Sequence, residues 1–184
     1  MSRYILAILC LIITDIKLSF MKLFHFSNLK FSFLNICALT SELQLSYGGG
    51  LYIGKKLRMR ANSRLIVREK GILQIGDNVF FNYGSVITCH KKIIIGNNVQ
   101  ISPNVLIYDH DHNFKVKDGL KNLVYTSSPV IIGNNVWIGA NSVILRGTEI
   151  GDNSVIAAGS IVKGKIPKGT LVIQQRKSIN KVVL

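Results

Sequence analysis

Asp109, His110, Asp111 and His112 stand in four consecutive positions of the stretch IYDHDHNF, which also holds Tyr108, Asn113 and Phe114. Alternating carboxylate and imidazole groups suit a metal site, a proton relay or a plain polar turn. An imidazole of ordinary pKa, about 6.5, can take a proton at neutral pH, and a nearby carboxylate or carbonyl can hold its other N–H. A further imidazole, His90, directly follows Cys89. Neighbours on a strand point to opposite faces, so no thiol–imidazole pair is expected there; Cys89 reads as a packed thiol and His90 as a groove-lining or plain surface residue.

The surrounding chain keeps a beat of six. Written in sixes, residues 132–162 read IGNNVW, IGANSV, ILRGTE, IGDNSV, IAAGSI and V, so an aliphatic residue returns at Ile132, Ile138, Ile144, Ile150, Ile156 and Val162. Two positions before each later aliphatic stands Val136, Ser142, Thr148, Ser154 or Ser160. The beat recurs upstream at Ile75, Phe81 and Ile87, at Ile95, Ile101 and Ile107, and more weakly at Ile53, Met59 and Leu65. A period of six fits neither an amphipathic helix nor a simple alternating strand. It fits a parallel β-helix of short strands and tight turns, in which three repeats make one triangular coil and stacked coils bury the inner row. Gly and Asn after the aliphatic residues suit turns because both tolerate positive φ. The beat breaks between Ile107 and Ile132. Residues 109–129 therefore leave the column as one excursion that returns at Pro129, and DHDH stands at its root.

The expected organisation is an apolar and basic segment over 1–42, a β-helix domain over 43–168 and a tail over 169–184. The apolar run Tyr4–Ile13 is short for a bilayer-crossing helix and is followed by Asp15 and Lys17. It reads as a packing helix, or as a segment lying on a membrane surface together with Arg3, Lys17, Lys22 and Lys30. The net charge of +14 and pI of about 9.9 favour anionic partners. The basic run Lys55–Lys70 is a solvated surface or an anion-facing wall. No nucleic-acid module is present, and the aromatics are not spaced as stacking platforms. Cys10, Cys37 and Cys89 have no CxxC spacing and fit reduced thiols in a cytoplasm, with an inner-membrane-face location as the variant.

The run IGNNVWIGANSVILRGTEIGDNSVIAAGSIV resembles the hexapeptide-repeat acyltransferases, closest to the maltose and galactoside O-acetyltransferases and to enzymes that O-acetylate capsular or lipopolysaccharide sugars. The resemblance covers roughly residues 75–167. It implies an all-β, left-handed parallel β-helix, a homotrimer, and acetyl-CoA and a sugar acceptor bound in grooves between neighbouring prisms, with no metal. It implies His112 as the general base, whose other N–H Asp109, Asp111 or a backbone carbonyl could hold. It further implies Asn82, Gly139, Ala140, Ala158, Lys163 and Gly164 on the cofactor side, and Asn82, His90 and Trp137 on the acceptor side. Lys165, Lys168, Arg176 and Lys177 are further cations for the phosphates. The chain departs from the family in carrying His90 where the family has a carboxylate, and in lacking the late glutamate of the loop within DGLKNL.

The expected activity is acetyl-CoA-dependent O-acetylation of a sugar hydroxyl, of a bacterial surface polysaccharide or its precursor, by direct transfer. Two alternatives share the column. One is a γ-type carbonic anhydrase-like metalloenzyme using His90, His110 and His112; the other is a non-catalytic glycan-binding β-helix.

Overall fold

The computed structural model describes residues 3–175. Each hexad forms a short strand that pairs in parallel with the strand one coil further on, and the strands stack into three faces. The first face runs from Leu29–Phe31 through Gly50–Ile53, Ile72–Ile75, Lys92–Ile95, Val130–Ile132 and Glu149–Ile150 to Lys165–Ile166. The second runs from Ile36–Cys37 through Arg58–Met59, Phe80–Phe81, Gln100–Ile101, Trp137–Ile138 and Val155–Ile156 to Leu171–Val172. The third holds Glu42–Leu45, Arg64–Val67, Val86–Cys89, Leu106–Tyr108, Val143–Ile144 and Ile161–Val162.

The beat of six becomes the core. Ile53, Ile75, Ile95, Ile132 and Ile150 pair in register up the first face. Met59, Phe81, Ile101, Ile138 and Ile156 do so up the second, and Leu65, Ile87, Ile107, Ile144 and Val162 up the third. All are buried, as are Val136, Ser142, Thr148, Ser154 and Ser160 at the corners. The solenoid starts at Leu29, inside the segment that the sequence sets apart as 1–42, and its second face extends to Val172, inside the expected tail. The reason is coil length. Trp137 pairs with Val155 at the strict three-hexad step, whereas Leu29 pairs with Leu51 and Leu51 with Leu73, a longer step that blurs the beat upstream.

The repeated Gly-Asx-Asn sets one corner. Its second Asn takes the left-handed conformation at Asn78, Asn98, Asn135 and Asn153. Their amides donate from coil to coil at 3.0–3.1 Å, Asn78 to Asn98, Asn98 to Asn135 and Asn135 to Asn153. The preceding Asx forms a parallel ladder: Asn97 Oδ1 accepts the Asp77 N–H, Asn134 Oδ1 that of Asn97, and Asp152 Oδ1 that of Asn134. Glycine precedes them because the coils touch there; a Cβ on Gly96 would lie 2.7 Å from the Gly133 backbone. Backbone groups that the turn removes from the sheets are thus satisfied by side chains of the next coil.

The helix α1 (Arg3–Phe24) caps the first coil. It is a continuous helix longer than the apolar run suggested, and among the described residues it is long and apolar enough to cross a membrane by length and composition. Asp15 and Lys17 lie within it, half-buried at the margin of its packed stripe. Cys10, Thr14 and Leu18, spaced by one turn, face the solenoid, and the Cys37 N–H donates to Thr14 Oγ1 at 2.9 Å. The expected packing role is met by that stripe alone.

Candidate active site

The site grows from the corner between the third and first faces. Asp109 directly follows the strand Leu106–Tyr108 and is fully buried. A buried carboxylate must be paired or hydrogen-bonded. This one accepts the backbone N–H groups of His90, Lys91 and Lys92 at 2.8, 2.6 and 2.7 Å, and meets His110 Nδ1 at 3.2 Å. Burial works to raise its pKa, and the bonds from His110 and the three amides outweigh it, so the group is held below the ordinary carboxylate value. Cys89 is buried beneath it, its thiol pushed up by burial and then by the Asp109 charge. Cys89 is thus a packed thiol and its neighbour His90 points outward, as strand alternation requires.

The excursion leaves as an antiparallel hairpin, His110–His112 against Tyr125–Ser127, with His112 opposite Tyr125 and Asp111 opposite Thr126. Four rings gather on one side of it. His90 stacks on His110 at 3.7 Å between centroids, and Tyr125 meets the edges of both at 4.5 and 5.4 Å. Tyr125 also lies 4.7 Å from His112, which is exposed at the end of the row. Burial first, and then the neighbouring His110, push His90 down to about 4, so that ring is neutral at physiological pH.

The two carboxylates offered as orienting groups for His112 are engaged elsewhere. Asp109 serves His110 and the turn at 90–92, and Asp111 accepts from Arg146 Nε at 2.5 Å. On a strand, Asp111 points away from the face shared by His110 and His112. The Tyr125 ring packs against His112, and no motif in the sequence marks either Tyr125 or Arg146. Two hollows meet at His112. One, of about 830 Å³, is lined by Tyr47, Arg68, Glu69, His90, His110 and Tyr125 as well. The other, of about 350 Å³, lies beside Asp111, Phe114, Lys115 and Arg146.

The other expected site residues divide between two corners. Lys163 and Gly164 follow the strand Ile161–Val162, on the same corner as His90 and the hairpin; Lys163 is exposed, and the Gly164 carbonyl accepts from Glu149 N–H. Asn82, Ser102, Gly139 and Ala157 stack instead on the corner between the second and third faces, each N–H donating to the coil above at Ile101, Ile138, Ile156 and Val172. The half-buried Asn82 accepts the Tyr83 N–H on its side-chain oxygen, and Trp137 donates from Nε1 to Ser102 Oγ at 3.0 Å. Ala140 and Ala158 lie beside Gly139, where a Cβ would come within 2.5 Å of Ala158 N. The third face separates these residues from His112 within one chain, and a four-residue strand alone spans roughly 13 Å. Arg176 and Lys177 lie outside the described residues. Among the described residues no group of three His, Cys, Asp or Glu side chains converges as metal ligands; His90 and His110 stack face to face rather than aiming nitrogens at one point.

Known proteins resemble this chain in sequence and in fold. A family model described as the hexapeptide repeat of succinyl-transferase matches residues 129–163. The Escherichia coli protein WbbJ, named as a lipopolysaccharide biosynthesis O-acetyl transferase, is 32% identical over 144 residues, which are 74% of this chain and 70% of WbbJ. The E. coli galactoside O-acetyltransferase is 44% identical over 97 residues, 52% of this chain. The chain spans about half the length of that enzyme, 46%. Among solved structures, the Bacillus cereus N-acyltransferase AntD with dTDP and coenzyme A superposes with a TM-score of 0.68 over 82% of each chain at 18% identity, a likeness of fold.

Proposed function

Because the chain belongs to the hexapeptide-repeat acetyltransferase family, we propose that it moves an acetyl group from acetyl-CoA to a sugar hydroxyl, of a bacterial surface polysaccharide or its precursor. The observation that carries the reading is His112, exposed between two hollows at the end of a ring row anchored by Asp109. The thioester supplies an activated acyl carbon. His112 takes the proton of the acceptor hydroxyl as its oxygen attacks, then returns that proton to the departing thiolate, so no covalent enzyme species is needed. The rings of Tyr47, His90 and Tyr125 offer the larger hollow a surface suited to a saccharide. Gly139, Ala140 and Ala158 leave a strip of backbone without bulky side chains, which suits the extended arm of coenzyme A, and the exposed Lys163 suits a phosphate.

The division of these residues between two corners supports a homotrimer. Asn82, Trp137 and Ala140 of one protomer would face His112 of the next, and heterologous contacts of that kind close into rings. The test is release of free thiol from acetyl-CoA against a panel of glycans, wild type beside His112→Ala. Glycan-dependent release by the wild type and its loss in the variant are expected; equal release by both proteins would remove His112 from its role.

A further inference from the structure

Among the described residues the outer side of α1 has no partner. From Tyr4 to Phe24 the exposed positions are Tyr4, Ile5, Leu6, Ile8, Leu9, Ile12, Ile13, Ile16, Phe20, Leu23 and Phe24, with Ser19 as the one polar residue among them. A helix solvated on that side carries charges there. The apolar surface continues past the helix at Phe26 and, on the first coil, at Phe33, Leu34 and Leu39. Leu34 even holds a φ of 69°, a strained conformation for an exposed leucine.

The surrounding charges are predominantly positive. Asp15 is the sole acidic residue in positions 1–41, against Arg3, Lys17, Lys22 and Lys30. Lys17 and Lys22 are half-buried, and Lys22 Nζ rests over the Phe31 ring at 5.7 Å. An apolar strip edged by cations is the pattern of a helix lying in the headgroup layer of an anionic bilayer. A crossing orientation is opposed by the opposite stripe. To cross, the helix would have to lift Leu18 from its buried seat and free the Cys37 N–H from Thr14 Oγ1.

We propose that α1 lies flat in the surface of an anionic membrane and that the solenoid stands on it by its first coil. The inference does not depend on the acetyl-transfer reading. Sedimentation of the purified chain with vesicles of phosphatidylcholine containing about 30% phosphatidylglycerol tests it. The wild type is expected to sediment with these vesicles, to bind pure phosphatidylcholine more weakly, and to be released by high salt or alkaline carbonate. Ile8→Gln, Ile12→Gln and Ile16→Gln together, all outside the packed stripe, are expected to weaken binding at least about tenfold, with the circular dichroism and melting temperature kept. Lys17→Glu with Lys22→Glu should lose the preference for phosphatidylglycerol. The proposal is overturned by a wild type that stays in the supernatant, by a triple variant that binds as well, or by a triple variant that changes only oligomer size, which would give the face to a second copy. Wild type that resists carbonate would mean a crossing helix and overturn it equally.

Discussion

Asp109 and His90 are joined twice: a carboxylate oxygen of Asp109 accepts the His90 backbone N–H at 2.8 Å, and the His90 ring stacks on His110, whose Nδ1 meets the same carboxylate oxygen. One buried group therefore fixes both the turn at 90–92 and the start of the hairpin that carries His112. The exposed histidine inherits its place from a residue that solvent never reaches.

Replacing Asp109 should cost more than replacing any exposed residue of the loop. Asp109→Ala strands three backbone N–H groups in a buried place, for a loss of about 3–5 kcal/mol in urea unfolding. Asp109→Asn keeps an acceptor oxygen and should lose less. An unfolding midpoint unchanged in Asp109→Ala would refute the anchoring role.

Acid should act in two stages. The fold keeps His90 neutral down to about 4, while the unfolded chain protonates it from about 6.5, so the unfolded state binds more protons across that interval and stability falls as pH drops through it. Asp109 acts below this. Its native value lies under the ordinary 3.8, so its contribution is whole above that value and is lost as pH falls through the native one. Melting temperatures of His90→Gln should lack the upper stage and keep the lower. Parallel curves for variant and wild type would contradict the assignment.

His112→Ala should lower turnover by about 10²–10⁴-fold with the melting temperature nearly unchanged, because the ring is exposed and packs mainly on Tyr125. Tyr125→Ala should lower turnover less, by displacing the ring. Measured rates for the two variants in the reverse order would count against His112 as the base.

If neighbouring copies complete each site, two dead variants should rescue one another. His112→Ala and Trp137→Ala, unfolded together and co-refolded, are expected to regain about a quarter of wild-type activity, since random assembly joins an intact histidine to an intact partner edge in one junction of four. No recovery despite mixed oligomers would place the whole site within one chain.

The asparagine ladder gives a test of the corners. Asn135→Ala loses two ladder bonds and forces a side chain into the left-handed region, whereas Asn135→Gly loses only the bonds, so the alanine variant should be less stable by about 1 kcal/mol. Equal thermal stability of the two would show that φ at this corner carries no strain.

The column was legible in the sequence because a repeated turn at constant spacing is a local property: Ile132 to Val162 state it residue by residue, and every one of those aliphatics is buried. Its start at Leu29 was not legible, since longer coils dissolve the beat while pairing distant strands as firmly. His112 is proposed as the base from its motif, yet nothing in DHDH tells which aspartate turns inward. That choice belongs to strand alternation and to three amides seventeen to nineteen positions earlier, at His90, Lys91 and Lys92, that only stacking brings to Asp109. Tyr125 reaches His112 through hairpin pairing across a loop without periodicity. Local spacing and residue type set the winding and the chemistry on offer. Tertiary structure decided which polar groups are buried together, because desolvation makes each of them find a partner that sequence distance conceals.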